Sequence, residues 1–260
     1  VLQEIRRMHI EDFIKWRRFV CNHQYNVKEQ VSNGTINRTL SMLSYFFNYC
    51  IVREYYSGSN PCYKMKLREN NIREVRLNKT QIQELVEKAS TQDSRLYNVI
   101  MTALLTGMRF SEIVNLTWNE VDFDRDTIFL SRLKTKGKRA RVIPIVPELR
   151  TIFLTLWNNK KSEYVLDTNF HYIQKHWKRL QPQLSFVNLD DGSRFRFHDI
   201  RHLFAQHLLD KNVPMEDIQS LLGHQDISTT QKRYAMHART DLQEKIGKIV
   251  DIIPLRKVSG

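Results

Sequence analysis

Apolar positions in the first sixty residues recur at helical intervals. They form two stripes, each with the three-to-four-residue spacing of an amphipathic helix. The stripes are Ile10, Phe13, Ile14, Trp16, Phe19 and Val20, and then Ile36, Leu40, Leu43, Phe47 and Ile51. Asn60-Pro61 is predicted to end the second helix, because a residue that precedes proline disfavours the helical conformation. The pattern predicts a small helical domain.

The next stretch is basic and poor in apolar residues. From about residue 64 to residue 79 it carries Lys64, Lys66, Arg68, Arg73, Arg76 and Lys79. This composition is typical of an exposed linker between domains. We place the boundary near residue 75, with one domain over 1–75 and a second over 76–260. A new helix is expected to open at Thr80, where Thr80-Gln81-Ile82-Gln83 fits a capping box.

The periodicity changes between Val121 and Val146. Apolar and polar residues alternate there around polar turns at 124–126 and 136–138, which predicts a short antiparallel meander. Pro144 indicates that the last strand lies at an edge, since proline cannot donate a ladder hydrogen bond. Helical spacing then returns, with Pro214 at a helix start and Gly223 at its end. The predicted fold class is mainly α with a small antiparallel β-sheet, an α+β architecture.

Charge gives the first indication of function. The 260 residues contain 41 Lys and Arg against 28 Asp and Glu, a net charge of +13 and a pI near 9.7. This balance is typical of a polyanion binder, so nucleic acid is the first partner to consider and an acidic membrane surface the second. No stretch reaches the roughly 18 apolar residues of a spanning helix, and no signal peptide opens the chain. We therefore expect a cytoplasmic protein without a membrane partner.

The cysteines and the first residue add two smaller expectations. Cys21, Cys50 and Cys62 form an odd set without CxxC spacing, which predicts buried thiols and neither a disulfide framework nor a zinc site. The chain opens at Val1 in the middle of a pattern, so the first domain is expected to lack part of its natural start.

Two segments place an arginine among residues that otherwise look like core. Residues 104–113 contain Arg109 and residues 197–204 contain Arg201. A buried arginine needs an anion, and the neighbouring carboxylates Glu112 and Asp199 are the structural candidates. Alternatively, because a guanidinium binds phosphate oxygens bidentately, the pair could hold both non-bridging oxygens of one phosphodiester.

A third segment, residues 221–235, contains Leu-Gly-His and a later tyrosine. In type and order these motifs resemble the signature of the tyrosine recombinases, the phage-integrase family. The residues that carry the resemblance are Arg109 in Thr-Gly-Met-Arg, the box His198-x-x-Arg201-His202, His224 and Tyr234. The resemblance covers nearly the whole chain and implies a helical DNA core-binding domain followed by a catalytic domain. It also implies strand cleavage and rejoining through a 3′-phosphotyrosine intermediate, with no metal or other cofactor and no ATP.

The resemblance implies a role for each motif residue. Arg109 and Arg201 bind the scissile phosphate, His198 accepts a proton, and His224 donates to the phosphate. Tyr234 is the nucleophile, although it follows His224 by ten residues where the family usually has nine. Tyrosine has a pKa of about 10, so its attack at neutral pH calls for a proton acceptor and nearby cations.

A lysine and a glutamate complete the implied site. The family's catalytic lysine lies in a turn ahead of a Val-Pro-like strand, and Lys136 has this position before Pro144. Lys134 and Lys138 are close competitors. The implied role of the lysine is to protonate the leaving 5′ oxygen. Glu112 matches the family's acidic residue three after the first arginine and is expected to orient the site.

Other polar residues have plainer interpretations. His198 and His202 have the spacing of a zinc pair, but no Glu-x-x-His pattern or cysteine cluster accompanies them, so we expect no metal site. His202 is predicted to be a buried supporting residue beside Arg201. The basic run around the turn is predicted to contact the DNA backbone through Lys134, Lys138, Arg139 and Arg141.

The tail is predicted to form a short amphipathic helix within 241–253. Its apolar stripe is Leu242, Ile246, Ile249, Val250 and Ile253. The stripe can pack on its own domain or dock on a neighbouring protomer. In recombinases that resemble this chain such a helix passes between protomers, which implies a homo-oligomer, a tetramer on paired sites in double-stranded DNA.

Three function classes are consistent with these features. A site-specific recombinase or integrase is the leading one, a type IB topoisomerase shares its chemistry, and a non-catalytic DNA-binding relative is the third. Six intact active-site candidates argue against the third class. The two-domain size and the tail helix favour the first, because recombination requires contact between protomers.

Overall fold

The computed structural model describes residues 2–24, 31–68, 75–131, 140–190, 192–223 and 246, and for residues 19–24 the backbone alone. The chain divides into two compact units, Val1–Arg73 and Glu74–Gly260. In the described part, no helix has the length and apolar character needed to cross a membrane.

The first unit contains helices α1 (Arg7–Gln24) and α2 (Asn33–Val52), after a 3-10 turn at Leu2–Glu4. Ser32 caps α2 by accepting a hydrogen bond from the backbone N–H of Thr35. The core of this unit is formed by Ile10, Ile36, Leu40, Phe47, Cys50, Tyr56 and Cys62. Cys50 and Cys62 are buried free thiols, as predicted.

The predicted end of the second helix is wrong. Helix α2 ends at Val52 rather than at Asn60-Pro61, because Glu54 adopts a left-handed conformation with φ of 61°. The backbone N–H of Tyr55 then bonds the carbonyl of Cys50 and closes the turn. Asn60 instead links this turn region to α2 by donating to the carbonyl of Ser44.

The second unit is built from seven described helices. They are α3 (Lys79–Gln92), α4 (Ser94–Thr106), α5 (Phe110–Val114), α6 (Pro147–Asn158), α7 (Phe170–Leu180), α8 (Asp199–Asp210) and α9 (Met215–Leu222), with 3-10 turns at Trp118–Glu120 and Gln181–Gln183. The predicted limits of α9 are confirmed, with Pro214 before it and Gly223 after it. The predicted start of α3 is wrong. Asn78, not Thr80, caps the helix through reciprocal hydrogen bonds with Gln81.

Three short strands form one antiparallel sheet in the order β1-β2-β3. They are β1 (Val121–Asp122), β2 (Thr127–Leu130) and β3 (Arg141–Pro144). Ile128 pairs with Ile143, and Leu130 pairs with Arg141; all four side chains are buried. Strand β3 lies at an edge, as Pro144 predicted. The fold class, mainly α with a small antiparallel sheet, is confirmed.

Helix α4 lies at the centre of the second unit. Its residues from Val99 to Thr106 are all buried, and it packs against α3, α6, α7 and α8. A helix that is apolar on every side is stabilised by burial from all directions. The chain leaves this core at Gly107, so Arg109 lies three residues after the buried C-terminal end of α4.

Candidate active site

Arg201 lies in the first turn of α8 and is buried, with 4% of its surface exposed. Its Nη1 donates to the carbonyl of Gly107 at 2.8 Å, and its Nη2 donates to the carbonyl of Leu222. These carbonyls lie at the C-terminal ends of α4 and α9, where the helix dipole favours a cation. Among the described contacts, they engage two of the five N–H donors of the guanidinium.

No carboxylate of the described residues lies within ion-pair distance of Arg201. Asp199, one structural candidate for that role, accepts a hydrogen bond from the backbone N–H of Arg196 instead. Burial, followed by the charges of Arg109 and Arg141, lowers the pKa of Arg201 to about 9, and Glu112 opposes the shift. Because this value is above 7, Arg201 is a buried cation at neutral pH. Such an environment favours the binding of an anion.

Arg109 directly precedes α5, and its guanidinium, like that of Arg201, binds the C-terminal end of α9. Its Nη1 donates to Oε1 of Glu112 at 3.0 Å, and its Nη2 donates to the carbonyl of Gly223 at 3.3 Å. Arg109 and Arg201 therefore bond consecutive carbonyls, those of Gly223 and Leu222. About a fifth of the Arg109 side chain, 20%, is exposed, so its guanidinium is open to a ligand.

Glu112 is buried between two arginines. Besides Arg109 it binds Arg141 of β3, whose Nη1 and Nη2 donate to Oε1 at 3.2 Å and to Oε2 at 2.5 Å. Its Oε2 also accepts from the backbone N–H of Arg109. Burial raises the pKa of Glu112, but the hydrogen bonds and charge of Arg141, with those of Arg109, outweigh it and hold the pKa below its usual range. The carboxylate is therefore ionised and in contact with Arg109, the geometry expected of an orienting residue.

Arg141 does not lie on a basic surface, where the sequence placed it. Only 6% of its surface is exposed, because it stands opposite Leu130 on the core-facing side of the sheet. Its neighbour Val142 has the outward position. In this structure the guanidinium of Arg141 binds Glu112 rather than facing solvent.

Two left-handed glycines allow these contacts. Gly107 and Gly223 have φ of 61° and 67° and end α4 and α9. A Cβ at Gly107 would overlap the ring of Phe204, and one at Gly223 would lie 2.9 Å from Nη1 of Arg141. Glycine is thus required both by the backbone conformation and by the close approach of side chains.

His198 directly precedes α8, makes no side-chain capping hydrogen bond to it, and is exposed. Partial burial of its ring lowers its pKa, as do the charges of His202, Arg201 and Arg109, whereas Asp199 opposes the shift. His198 is consequently neutral at pH 7 and able to accept a proton.

His202 contacts His198 edge to face, with ring centroids 5.3 Å apart. The prediction that it is buried is wrong, since it lies one helical turn after His198 on the exposed side of α8. No group of three metal-ligating side chains occurs among the described residues.

Comparison with known proteins identifies the family. Residues 75–240 match the sequence model of the phage integrase family. The chain belongs to this family. It is 27% identical to a tyrosine recombinase of Pseudothermotoga lettingae, over 88% of this chain and 77% of the relative. It is also 27% identical to tyrosine recombinase XerD of Halalkalibacterium halodurans, over 83% of this chain and 75% of the relative.

Two solved integrases share the fold. A lambda integrase dimer bound to a COC′ core site aligns with a TM-score of 0.67 at 16% identity, over 86% of this chain and 81% of the other. The Tn1549 transposon integrase in complex with circular intermediate DNA aligns with a TM-score of 0.60 at 20% identity, over 93% of this chain and 86% of the other. The resemblance to the tyrosine recombinases is thereby confirmed.

The structure gathers four predicted site residues of this phage-integrase member, Arg109, Glu112, His198 and Arg201. Lys136, His224 and Tyr234 lie outside the described residues, as do Lys134, Lys138 and Arg139. Gly223, which directly precedes His224, is held by Arg109. In the tail, Ile246 is described and is buried in the core of the second unit, whereas the other residues of the helix predicted within 241–253 lie outside the described residues.

The sequence interpretation missed an aromatic contact inside the integrase site. Phe110 follows Arg109 and Phe197 precedes His198, and their rings pack with centroids 4.7 Å apart. Phe170 and Trp177 extend the cluster at 5.1 Å from Phe110 and 5.4 Å from Phe197. The available signal was the phenylalanine beside each motif residue, although nothing in the sequence indicated that the two rings meet.

Proposed function

We propose that this chain is a site-specific recombinase that cleaves and rejoins double-stranded DNA through a 3′-phosphotyrosine intermediate on Tyr234. One observation carries the proposal. Arg201 is a buried cation held by two backbone carbonyls, and the Arg109 guanidinium binds the carbonyl next to one of them. This convergence of two guanidiniums, one of them unpaired with any described carboxylate, suits the oxygens of a phosphodiester.

The proposed reaction begins with attack of the Tyr234 hydroxyl oxygen on the scissile phosphorus. The hydroxyl proton passes to neutral His198, and the bond from phosphorus to the 5′ oxygen breaks. Lys136 gives that oxygen a proton, which leaves a 5′ hydroxyl and a 3′-phosphotyrosine. Arg109, Arg201 and His224 bind the non-bridging oxygens more strongly as they gain charge in the transition state. Because one phosphoester replaces another, attack by a second 5′ hydroxyl rejoins the strand without ATP.

Assembly on paired sites is part of the proposal. Solved structures include a lambda integrase tetramer bound to a Holliday junction. The two-unit architecture and the net charge of +13 support assembly of this chain on DNA in the same way. The family relatives favour recombination over simple relaxation of DNA, although both activities share the covalent step. Action on DNA would place the protein in the cytoplasm.

The experiment that tests the function is covalent capture of DNA. A pool of nicked duplexes with a randomised central sequence is incubated with the protein in EDTA, and products are separated on a denaturing gel. The nick lets the short strand with its new 5′ hydroxyl diffuse away, so the intermediate accumulates. We expect a protein–DNA adduct linked through a 3′ phosphate. If exhaustive selection from the pool yields no adduct, strand cleavage is the wrong function.

The role of Lys136 can be tested with a modified leaving group. Lys136→Ala should cut the captured duplex slowly but should cut nearly normally when sulfur replaces the bridging 5′ oxygen. The reason is that a thiolate leaves without needing a proton. The matched controls are Lys134→Ala and Lys138→Ala, which should show no sulfur rescue. Rescue of the Lys134 variant alone would show that the catalytic lysine has been placed two residues too late.

A further inference from the structure

Arg141 is among the most buried charged side chains of the second unit. Its side chain is 4% exposed and forms a two-point ion pair with Glu112, whose own side chain is 2% exposed. An arginine that donates two parallel hydrogen bonds to the two oxygens of a carboxylate fixes both the orientation and the distance of that carboxylate. Glu112 in turn binds both the guanidinium and the backbone N–H of Arg109. Arg141 and Arg109 thus bind the same carboxylate.

Arg141 also lies against Gly223. A side chain on Gly223 would meet Nη1, Cδ and Cζ of Arg141 at 2.9, 3.3 and 3.4 Å. The carbonyl of the same glycine accepts from Arg109, and the next residue is His224. One side chain on β3 therefore supports the Arg109 guanidinium through Glu112 and supports the backbone that leads to His224 by direct packing.

The charges explain why a second arginine is useful there. Glu112 of α5 binds Arg109, which precedes that helix, and Arg141 of β3. Its negative charge also acts on Arg201 of α8 without an ion pair. If Arg109 had Glu112 to itself, its charge would be largely neutralised by a close buried partner. Sharing the carboxylate with Arg141 keeps Arg109 oriented and leaves the group positively charged, as binding of a phosphate requires.

We infer that Arg141 is a positioning residue that holds Glu112 so that Arg109 points at the scissile phosphate, and that packs against Gly223 to fix the approach to His224. The inference rests on the proposed strand-cleavage function. It replaces the expectation that Arg141 binds the DNA backbone. Loss of Arg141 should therefore slow cleavage more than it weakens DNA binding.

The test is single-turnover cleavage by Arg141→Gln on the nicked duplex recovered from the wild-type pool. At saturating protein we expect the rate constant to fall on the order of a hundredfold, the effect of a small misplacement of a catalytic group. The DNA affinity should change by less than about threefold, because the buried Arg141 side chain binds Glu112 and not the DNA, so no phosphate contact is lost. Arg150→Gln is the matched control. Arg150 pairs with Asp126 at 2.8 Å with 41% of its side chain exposed, and its loss should leave the rate unchanged.

A pH profile separates positioning from folding. Without Arg141 the pKa of buried Glu112 should rise, and protonated Glu112 cannot hold Arg109. Cleavage by Arg141→Gln should therefore fall more steeply at acidic pH than cleavage by the wild-type protein, in which protonation of His198 lowers the rate. The double variant Arg141→Gln/Glu112→Gln should be slow but should show only the acidic loss that His198 causes, as the wild-type protein does. A purely structural role would lower the amplitude of cleavage, through the folded fraction, while the rate constant and its pH profile stayed as in the wild type. That result would overturn the inference.

A milder variant keeps the test decisive if Arg141→Gln does not fold. Arg141→Lys retains the charge but loses the fork, and we expect a rate about tenfold below wild type with an unchanged melting temperature. A wild-type rate in Arg141→Lys would count against the inference as well. Failure of the proposed function is a different result, because the wild-type protein would then form no adduct at all.

Discussion

Tyr234→Phe is expected to bind DNA as tightly as the wild-type protein and to form no covalent adduct. The substitution removes one oxygen atom, the proposed nucleophile, and leaves the aromatic ring unchanged. Tyr234 is the only tyrosine after Tyr172 and follows the Leu-Gly-His motif whose glycine is held by Arg109. The measurement compares gel-shift affinity with adduct yield on a denaturing gel, in EDTA, and maps the adduct by sequencing the DNA-linked peptide.

Tyr172→Phe is a suitable control for this experiment. The Tyr172 hydroxyl donates to Oδ2 of Asp93 at 2.6 Å, and this hydrogen bond and the charge of Asp93 raise the pKa of Tyr172. Its oxygen is therefore a poor nucleophile. Phenylalanine there should cost about 1 kcal/mol of stability, the value of one hydrogen bond, and leave adduct formation normal. An adduct that persists in Tyr234→Phe but disappears in Tyr172→Phe would reassign the nucleophile.

Local patterns in the sequence predicted much of the fold. Alternation over residues 121–146 predicted the sheet, and Pro214 with Gly223 predicted the limits of α9, because each signal depends on neighbours within a few residues. The misplaced helix ends have a physical cause. Asn78 and Thr80 are both acceptable caps, each with a glutamine three residues later, and in the structure Asn78 accepts the hydrogen bond from the backbone N–H of Gln81. The left-handed conformation at position 54 could not be predicted, because glutamate is not one of the residues that favour it.

The site was predicted less completely than the fold. The motifs identified Arg109 and Arg201, but the partners of Arg201 are backbone carbonyls of Gly107 and Leu222, and carbonyls have no signature in a sequence. Arg141 was placed on a basic surface because it ends a run of charged residues. Its carboxylate partner lies 29 positions earlier, a separation that no local pattern reports. The alternation of β3 did contain the correct answer, because Arg141 is two residues from the buried Ile143 and therefore lies on the same, core-facing side of the strand.

Arg201→Ala is expected to lower the single-turnover cleavage rate by a factor of about a hundred to a thousand, the usual effect of removing one preorganised donor to a transition-state oxyanion. DNA affinity should fall much less. The substitution also leaves the carbonyls of Gly107 and Leu222 without their described donor, at a cost of about 1–3 kcal/mol each. Thermal unfolding must therefore be measured in parallel, and the rate constant taken from the folded fraction.

Three comparisons separate the chemistry of Arg201 from its charge. Arg179→Ala removes one positive charge from an exposed position on α7, so it shows what loss of charge alone does to binding. Added methylguanidine should partly restore cleavage by Arg201→Ala, because a free guanidinium can donate both to the carbonyls and to the phosphate. Arg201→Lys should not match that recovery, since an ammonium cannot reproduce the planar fork. If the rate and the affinity of Arg201→Ala instead fell by equal factors, Arg201 would be a contact to the DNA backbone, and the transition state would have to be stabilised by other residues.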